Sequence, residues 1–125
     1  MILLDTSVWV DHLYKSDPAV AAQLAANRVA THPFVIGEIA CGRLLNRAGV
    51  MATLQALPVA TMASHGEVLR FIERQALGGR GVGYIDFHLV ASAMMTPNTR
   101  LWTRDKRLAA VAAELGVFHD ERKGA

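Results

Sequence analysis

Short apolar runs separated by longer amphipathic segments are the main pattern of this chain. Residues 1–4 and 100–103 each have the length and composition of a buried strand. A later segment, residues 108–115, carries apolar side chains at i, i+3, i+4 and i+7 and predicts a helix, which Gly116 would end. Because strands and helices alternate, right-handed crossovers are expected to build a parallel sheet with helices on both faces.

The pattern predicts four to five strands, most of them followed by a helix. Strands are predicted at residues 1–4, 29–32, 58–61 and 100–103, with a fifth at 117–119. Helices are predicted over residues 7–14, 18–27, 33–45, 49–57, 84–95 and 108–115, with one more after the capping-box sequence at 64–67. A glycine-rich loop at 78–83 leads to the helix at 84–95 and provides a flexible approach to it.

The composition indicates one folded domain over residues 1–125, because 52% of the residues are hydrophobic and 19% are charged. No apolar stretch approaches the ~20 residues that cross a bilayer. The first residues lack the positive charge of a signal peptide and reach the acidic Asp5 at once, so we expect no signal peptide. The single cysteine, Cys41, excludes an internal disulfide and is expected to be buried in a helix. We therefore expect a cytoplasmic protein without a membrane segment.

Four acids, Asp5, Glu38, Asp86 and Asp105, lie where an open parallel sheet would gather them. Asp5 and Asp105 follow the first and fourth predicted strands, and ligands bind beyond the carboxyl ends of such strands. Two carboxylates about 5 Å apart repel by roughly 3 kcal/mol at an effective dielectric near 20, so a cluster requires a cation or protons. Ligands that are all oxygen favour Mg²⁺ or Mn²⁺. The five histidines show no zinc-ligand spacing.

Each acid also has a structural explanation that the sequence leaves open. Asp5 suits a helix N-cap, Glu38 a surface position, and Asp86 and Asp105 a first helical turn, where the helix dipole favours an anion. Without these four acids, thirteen Lys and Arg residues face seven acids, a surplus of six positive charges. A negative pocket in a positive surround suits a polyanion bound through a metal ion.

Two hydroxyl residues lie next to the acids in the sequence. Ser7 is two residues after Asp5, and Thr103 is two residues before Asp105. Both are candidates to hydrogen-bond the carboxylates or a water on the metal ion. The alternative for Thr103 is that it is an ordinary strand residue.

With these motifs the chain resembles the PIN-domain family, specifically its VapC-type toxins, over essentially its whole length. The fragments that carry the resemblance are Leu4-Asp5-Thr6-Ser7, Gly37-Glu38-Ile39 with Gly42, the glycine loop before Asp86, and Leu101-Trp102-Thr103-Arg104-Asp105. The resemblance implies a three-layer α/β/α sandwich and an acidic quartet made of Asp5, Glu38, Asp86 and Asp105. It also implies a toxin with Mg²⁺- or Mn²⁺-dependent endoribonuclease activity, cleaving single-stranded or looped RNA to give 5′-phosphate and 3′-hydroxyl ends.

The same resemblance implies a homodimer that a cognate VapB-like antitoxin neutralises. A segment of the antitoxin would lie in a groove of this chain along the helices of residues 34–57. Candidate phosphate contacts are Arg43, Arg47, Arg80, Arg104, Lys106 and Arg107. Two alternatives remain open, a catalytically weak RNA- or partner-binding module and a housekeeping nuclease without an antitoxin. Receiver and dehalogenase-like folds are disfavoured, because the third predicted strand has no acid after it and Ser7 stands where the dehalogenase motif requires one.

Overall fold

The computed structural model describes residues 1–123 and has an α/β fold in three layers. The strands are β1 (Ile2–Leu4), β2 (Val29–Ala30) and β3 (Arg100–Trp102). The helices are α1 (Thr6–Tyr14), α2 (Pro18–Ala25), α3 (Pro33–Ala40), α4 (Arg47–Ala56), α5 (His65–Arg74), α6 (Tyr84–Met95) and α7 (Lys106–Glu114), with a 3₁₀ turn at Glu121–Lys123. No helix within these residues has the length and apolar character needed to cross a membrane.

The sheet is parallel, with β1 in the centre between β2 and β3. Two single parallel bridges extend it at its edges, Thr31 with Val59 and Leu101 with Phe118. The segments predicted as third and fifth strands are therefore one bridge each, so the four to five strands expected are three strands and two bridges. Both segments lie at an edge, where only one neighbour can hold them in strand geometry.

The order of the five segments reverses direction between β1 and β3. From β1 the chain moves outward through β2 to the bridge at Val59, and then returns to β3 and the bridge at Phe118. With right-handed crossovers, α1 to α4 then cover one face and α5 to α7 the other. The crevice at such a reversal is where open α/β sheets bind ligands, and it lies between the carboxyl ends of β1 and β3.

Helix α3 is shorter than predicted, ending at Ala40 rather than near residue 45. The Arg47 guanidinium donates to the carbonyl oxygens of Ala40, at 2.6 Å, and of Gly42, at 3.3 Å. These bonds satisfy carbonyls that a continuing helix would otherwise use. Cys41, expected to be buried, is exposed at this helix end, so the prediction of a buried cysteine was wrong.

Candidate active site

Asp5 is the buried centre of the crevice between β1 and β3. It follows β1 directly, is 4% exposed, and its N–H donates to the Trp102 carbonyl at 3.0 Å, continuing the pairing of the two strands. The same carboxylate caps α1, accepting from the N–H of Val8 at 3.2 Å. The capping role foreseen as an alternative is thus present, and it leaves the second carboxylate oxygen available for other contacts.

Two hydroxyls connect Asp5 to the chain that follows β3. Ser7 donates to Oδ1 of Asp5 and accepts from the N–H of Arg104 at 3.1 Å. Thr103 donates to Oδ2 of Asp5 and accepts from the N–H of Asp105 at 3.1 Å. Burial raises the pKa of Asp5, and the hydrogen bonds from Ser7 and Thr103 act against that increase. The carboxylate is therefore held in one orientation by donors on both of its oxygens.

Asp86 is the carboxylate whose environment is least favourable to its charge. It lies in the first turn of α6, and burial together with the charges of Asp5, Asp105 and Glu38 raises its pKa to about 6. Within residues 1–123 no hydrogen-bond donor offsets this burial. A carboxylate surrounded by other carboxylates and lacking a donor favours a bound cation.

Glu38 and Asp105 complete the acidic group from opposite sides. Glu38 on α3 is exposed, and its Oε1 accepts from the Thr6 hydroxyl at 2.7 Å. Asp105 is exposed and caps α7, with Oδ1 accepting from the N–H groups of Arg107 at 2.9 Å and Leu108 at 3.0 Å. The contact between Thr6 and Glu38 was not anticipated, because it joins residues 32 positions apart.

The chemistry of this group fits a hard divalent cation. All the available donors are carboxylate oxygens, the ligands preferred by Mg²⁺ and Mn²⁺ over zinc. Among residues 1–123, no three His, Cys, Asp or Glu side chains are arranged to hold one ion directly. Mg²⁺ commonly binds through one or two carboxylates and keeps several waters, which is compatible with a group that is not closed into a cage.

The predicted phosphate contacts differ in how far their charge is already balanced. Arg104 donates to Asp11 at 2.9 Å, to Asp17 at 2.7 Å and to Glu121 at 3.1 Å, and it lies over the Trp102 ring. Because three carboxylates surround its guanidinium, Arg104 is better explained as a clamp on the chain beside Thr103 than as a phosphate ligand.

Arg80 is likewise paired, in this case with Glu114 on α7. The Arg107 side chain lies against Gly81, where a Cβ would be 2.5 Å from its Nη1. Gly81 has a φ of +78°, so the backbone conformation favours glycine there, whereas the flexible Arg107 side chain could move away from an added Cβ. Arg43 and Lys106 are exposed, and they are therefore the predicted contacts that remain most available to a polyanion.

An apolar groove of about 540 Å³ opens beside Glu38. Val10 and Leu13 of α1 form one side, and Leu44, Leu45 and Val50 form the other. Val10 is 51% exposed and Leu45 is 93% exposed, so the groove presents unpaired apolar surface to solvent. One side lies within residues 34–57, where the sequence predicted a partner groove, and the α1 side lies outside that region.

Aromatic residues on α3 and α6 lie within one helical turn of Glu38 and Asp86 along the chain and were not selected from the sequence. His88 is buried on α6, and its ring centroid lies 4.9 Å from that of Phe34 and 4.6 Å from that of Tyr84. A usable signal was present, because Phe34 precedes Glu38 by one helical turn and Tyr84 precedes Asp86 by two residues.

Comparison with known proteins agrees with this geometry. Residues 2–114 match the family model described as PIN domain. Ribonuclease VapC32 from two strains of Mycobacterium tuberculosis, CDC 1551/Oshkosh and H37Rv, is 44% identical over 117 residues, covering 94% of both chains. The crystal structure of PAE2754 from Pyrobaculum aerophilum superimposes with a TM-score of 0.54 at 20% identity, over 92% of this chain and 94% of that one.

Proposed function

The chain belongs to the PIN domain family, and on this premise we propose that it is a divalent-metal-dependent endoribonuclease of the VapC type, folded as one domain and acting as a toxin in the cytoplasm. The observation that carries the proposal is Asp86, a partly buried carboxylate whose pKa is raised to about 6 by burial and by three neighbouring carboxylates. A group of this kind is costly in a protein that binds no cation. The similarity to Ribonuclease VapC32 supports RNA as the substrate.

In this proposal Asp5 and Asp86 hold the ion, with Glu38 and Asp105 contacting it or its waters. A bound Mg²⁺ or Mn²⁺ supplies an activated water and neutralises charge on the phosphoryl group. Asp5 is fixed by the hydroxyls of Ser7 and Thr103, so its oxygens need little reorganisation when the substrate binds. With water as the nucleophile, the bond from phosphorus to the 3′ oxygen breaks, leaving 5′-phosphate and 3′-hydroxyl ends.

Exposed basic side chains are proposed to bind the phosphates of the RNA backbone. Arg43 near the groove and Lys106 in the first turn of α7 are exposed, and each phosphate contact on single-stranded RNA contributes about 0.7 to the salt slope of binding. Arg43→Gln and Lys106→Gln should each lower that slope, whereas Arg104→Gln should leave it unchanged.

The partner in this proposal is a VapB-like antitoxin with an apolar segment that fills the groove beside Glu38. The groove combines exposed Val10 and Leu45 with the charged side chains of Glu38 and Arg43 at the acidic site. Growth arrest on expression, relieved by the adjacent small gene, tests this role. A homodimer is also proposed, and sedimentation equilibrium of the purified chain measures it.

The deciding experiment for activity compares the wild type with Asp5→Asn on a labelled single-stranded RNA. Asp5→Asn keeps the shape of the side chain but removes its charge, so cleavage should be lost while the thermal unfolding transition remains. EDTA should stop the wild type, and added Mn²⁺ should restore it. The matched control is Glu73→Gln on an exposed position of α5, which should cut at the wild-type rate. Cleavage by Asp5→Asn at that rate would refute the proposal.

A further inference from the structure

Phe34, Tyr84 and His65 form an aromatic rim around the ring of His88. Phe34 and Tyr84 both contact the buried ring of His88, with interplanar angles of 74° and 85°, and the Tyr84 ring lies 5.6 Å from that of His65. Tyr84 is 42% exposed, Phe34 is partly exposed and His65 is exposed. Since these contacts are edge-to-face or tilted, the rings do not cover one another as a parallel stack would.

The rim lies within one helical turn of two of the acids. Phe34 and Glu38 are four residues apart on α3, a separation that puts side chains about 5–6 Å apart on one helix face. Tyr84 begins α6, and its ring lies on the face of His88, four residues on, whereas Asp86, two residues on, points to a different face of the helix. Tyr84 is therefore linked to the Glu38 side of the site through His88 and Phe34. Gly37, between Phe34 and Glu38, is exposed and would have no atom within 4 Å of an added Cβ. The backbone there is open to a ligand rather than covered by packing.

Tyr84 is held at the surface from two directions. Its hydroxyl lies 2.6 Å from Nδ1 of His65, and its ring rests against His88, which is 3% exposed. His65 begins α5, whose capping box of Ser64 and Glu67 fixes that helix end. An exposed ring fixed in this way loses little conformational entropy when a flat ligand packs against it.

We propose that Phe34, Tyr84 and His65 form a stacking subsite for one unpaired nucleobase next to the phosphate that is cut. The proposal rests on the ribonuclease function proposed above and adds to it how one base is recognised. Proteins recognise single-stranded RNA by stacking splayed-out bases on Phe, Tyr and His rings. Stacking reads a π-face rather than a hydrogen-bond pattern, so the subsite selects for an unpaired base with little preference among the four.

The test measures binding in the Asp5→Asn background, which separates binding from cleavage. Short single-stranded RNAs carry the fluorescent base 2-aminopurine at each position in turn, with Mg²⁺ present. One position should be quenched when the protein binds. Tyr84→Ala should abolish that quenching and weaken binding about 5- to 150-fold, the range measured when a stacking side chain is removed. Tyr84→Phe keeps the ring and should bind within about threefold of its parent, given that a single hydrogen bond contributes modestly.

The matched control is Tyr14→Ala. Tyr14 is 91% exposed, lines the apolar groove rather than the aromatic rim, and lies about 13 Å along α1 from Asp5 by helix rise, so its loss should leave the quenching of the 2-aminopurine base unchanged. Placing an abasic nucleotide at the quenched position should remove the difference in RNA affinity between Tyr84→Ala and its parent. Circular dichroism melting verifies that each variant is folded.

The outcomes separate the subsite from the function on which it rests. If the wild type cleaves RNA but Tyr84→Ala in the Asp5→Asn background binds and quenches like its parent, the subsite is refuted and the nuclease stands. The subsite is also refuted if Tyr84→Ala and Tyr14→Ala lose quenching and RNA affinity to the same extent. If the wild type neither binds nor cleaves RNA with Mg²⁺ or Mn²⁺, the proposed function fails and the subsite fails with it.

Discussion

The most informative substitution is Asp86→Asn, because it should stabilise the metal-free protein while destroying its activity. The variant keeps the shape of the side chain and removes a charge that burial and three carboxylates oppose. Asparagine has no charge to desolvate, so the folded state is relieved of that repulsion. Function and stability are therefore expected to change in opposite directions at this residue.

The size of the effect follows from the pKa of Asp86. Its change from 3.8 to about 6 corresponds to roughly 3 kcal/mol at 1.36 kcal/mol per pKa unit. Because the side chain is partly exposed, solvent screening reduces the expected gain to about 1–2 kcal/mol. For a chain of this length 1 kcal/mol changes the melting temperature by about 4 °C. Asp86→Asn should therefore melt about 4–8 °C higher than the wild type at neutral pH in EDTA.

The effect has a defined pH window. The folded state binds the Asp86 proton more tightly than the unfolded state, so this group lowers the stability of the wild type as pH rises from about 4 to about 6. The advantage of Asp86→Asn should consequently be full above pH 7 and small near pH 4. Added Mg²⁺ should raise the melting temperature of the wild type by mass action and should have little effect on the variant.

Thermal unfolding followed by circular dichroism measures these melting temperatures. Each protein is melted at pH 4 and at pH 7.5, with EDTA or with Mg²⁺. Glu73→Gln controls for loss of an exposed carboxylate and should remain within about 0.5 kcal/mol of the wild type. The reasoning is refuted if Asp86→Asn is less stable than the wild type in EDTA at pH 7.5. It is also refuted if the difference between them is the same at both pH values.

Three further predictions concern Thr103, Arg104 and Asp86. Thr103→Val removes a donor from the buried Asp5 carboxylate and should cost about 1–3 kcal/mol of unfolding free energy and lower kcat; an unchanged melting curve would argue against it. Arg104→Gln leaves the Asp17 and Glu121 carboxylates without their cation and should lower kcat with the salt dependence of RNA binding unchanged; a smaller salt slope would identify a phosphate contact instead. Mn²⁺ affinity measured by calorimetry should fall as pH drops below about 6, where Asp86 takes up a proton; a constant affinity down to pH 5 would exclude Asp86 as a ligand.

Sequence patterns predicted the elements that local signals define and missed those that depend on tertiary contacts. Helix α6 has the predicted bounds of 84–95, because Gly83 precedes it and Thr96-Pro97 follows it. Helix α3 was predicted too long, since the Arg47 side chain that caps its end is a contact not encoded by periodicity. The edge segments at residues 58–61 and 117–119 pair at one position each, which their composition does not reveal.

The residues of the candidate site also divide into those that local sequence signals predict and those whose contacts depend on the tertiary fold. The positions of Asp5 and Asp105 at strand ends could be predicted, because alternating strands and helices indicate a parallel sheet whose carboxyl ends lie along one edge. The clamp around Arg104 could not, since its partners Asp11 and Asp17 are 93 and 87 residues away in the sequence. An isolated arginine near an acidic site looks like a phosphate ligand until its partners are known.

The central claim is that the carboxylates of Asp5 after β1, Glu38 on α3, Asp86 on α6 and Asp105 at the N-terminus of α7 together bind a divalent ion that RNA cleavage requires. Anomalous diffraction from crystals soaked in Mn²⁺ tests this directly. We predict one strong manganese peak between Asp5 and Asp86, absent from crystals of Asp5→Asn. Crystals without a peak at that position, from protein that still cleaves RNA in EDTA, would contradict the claim.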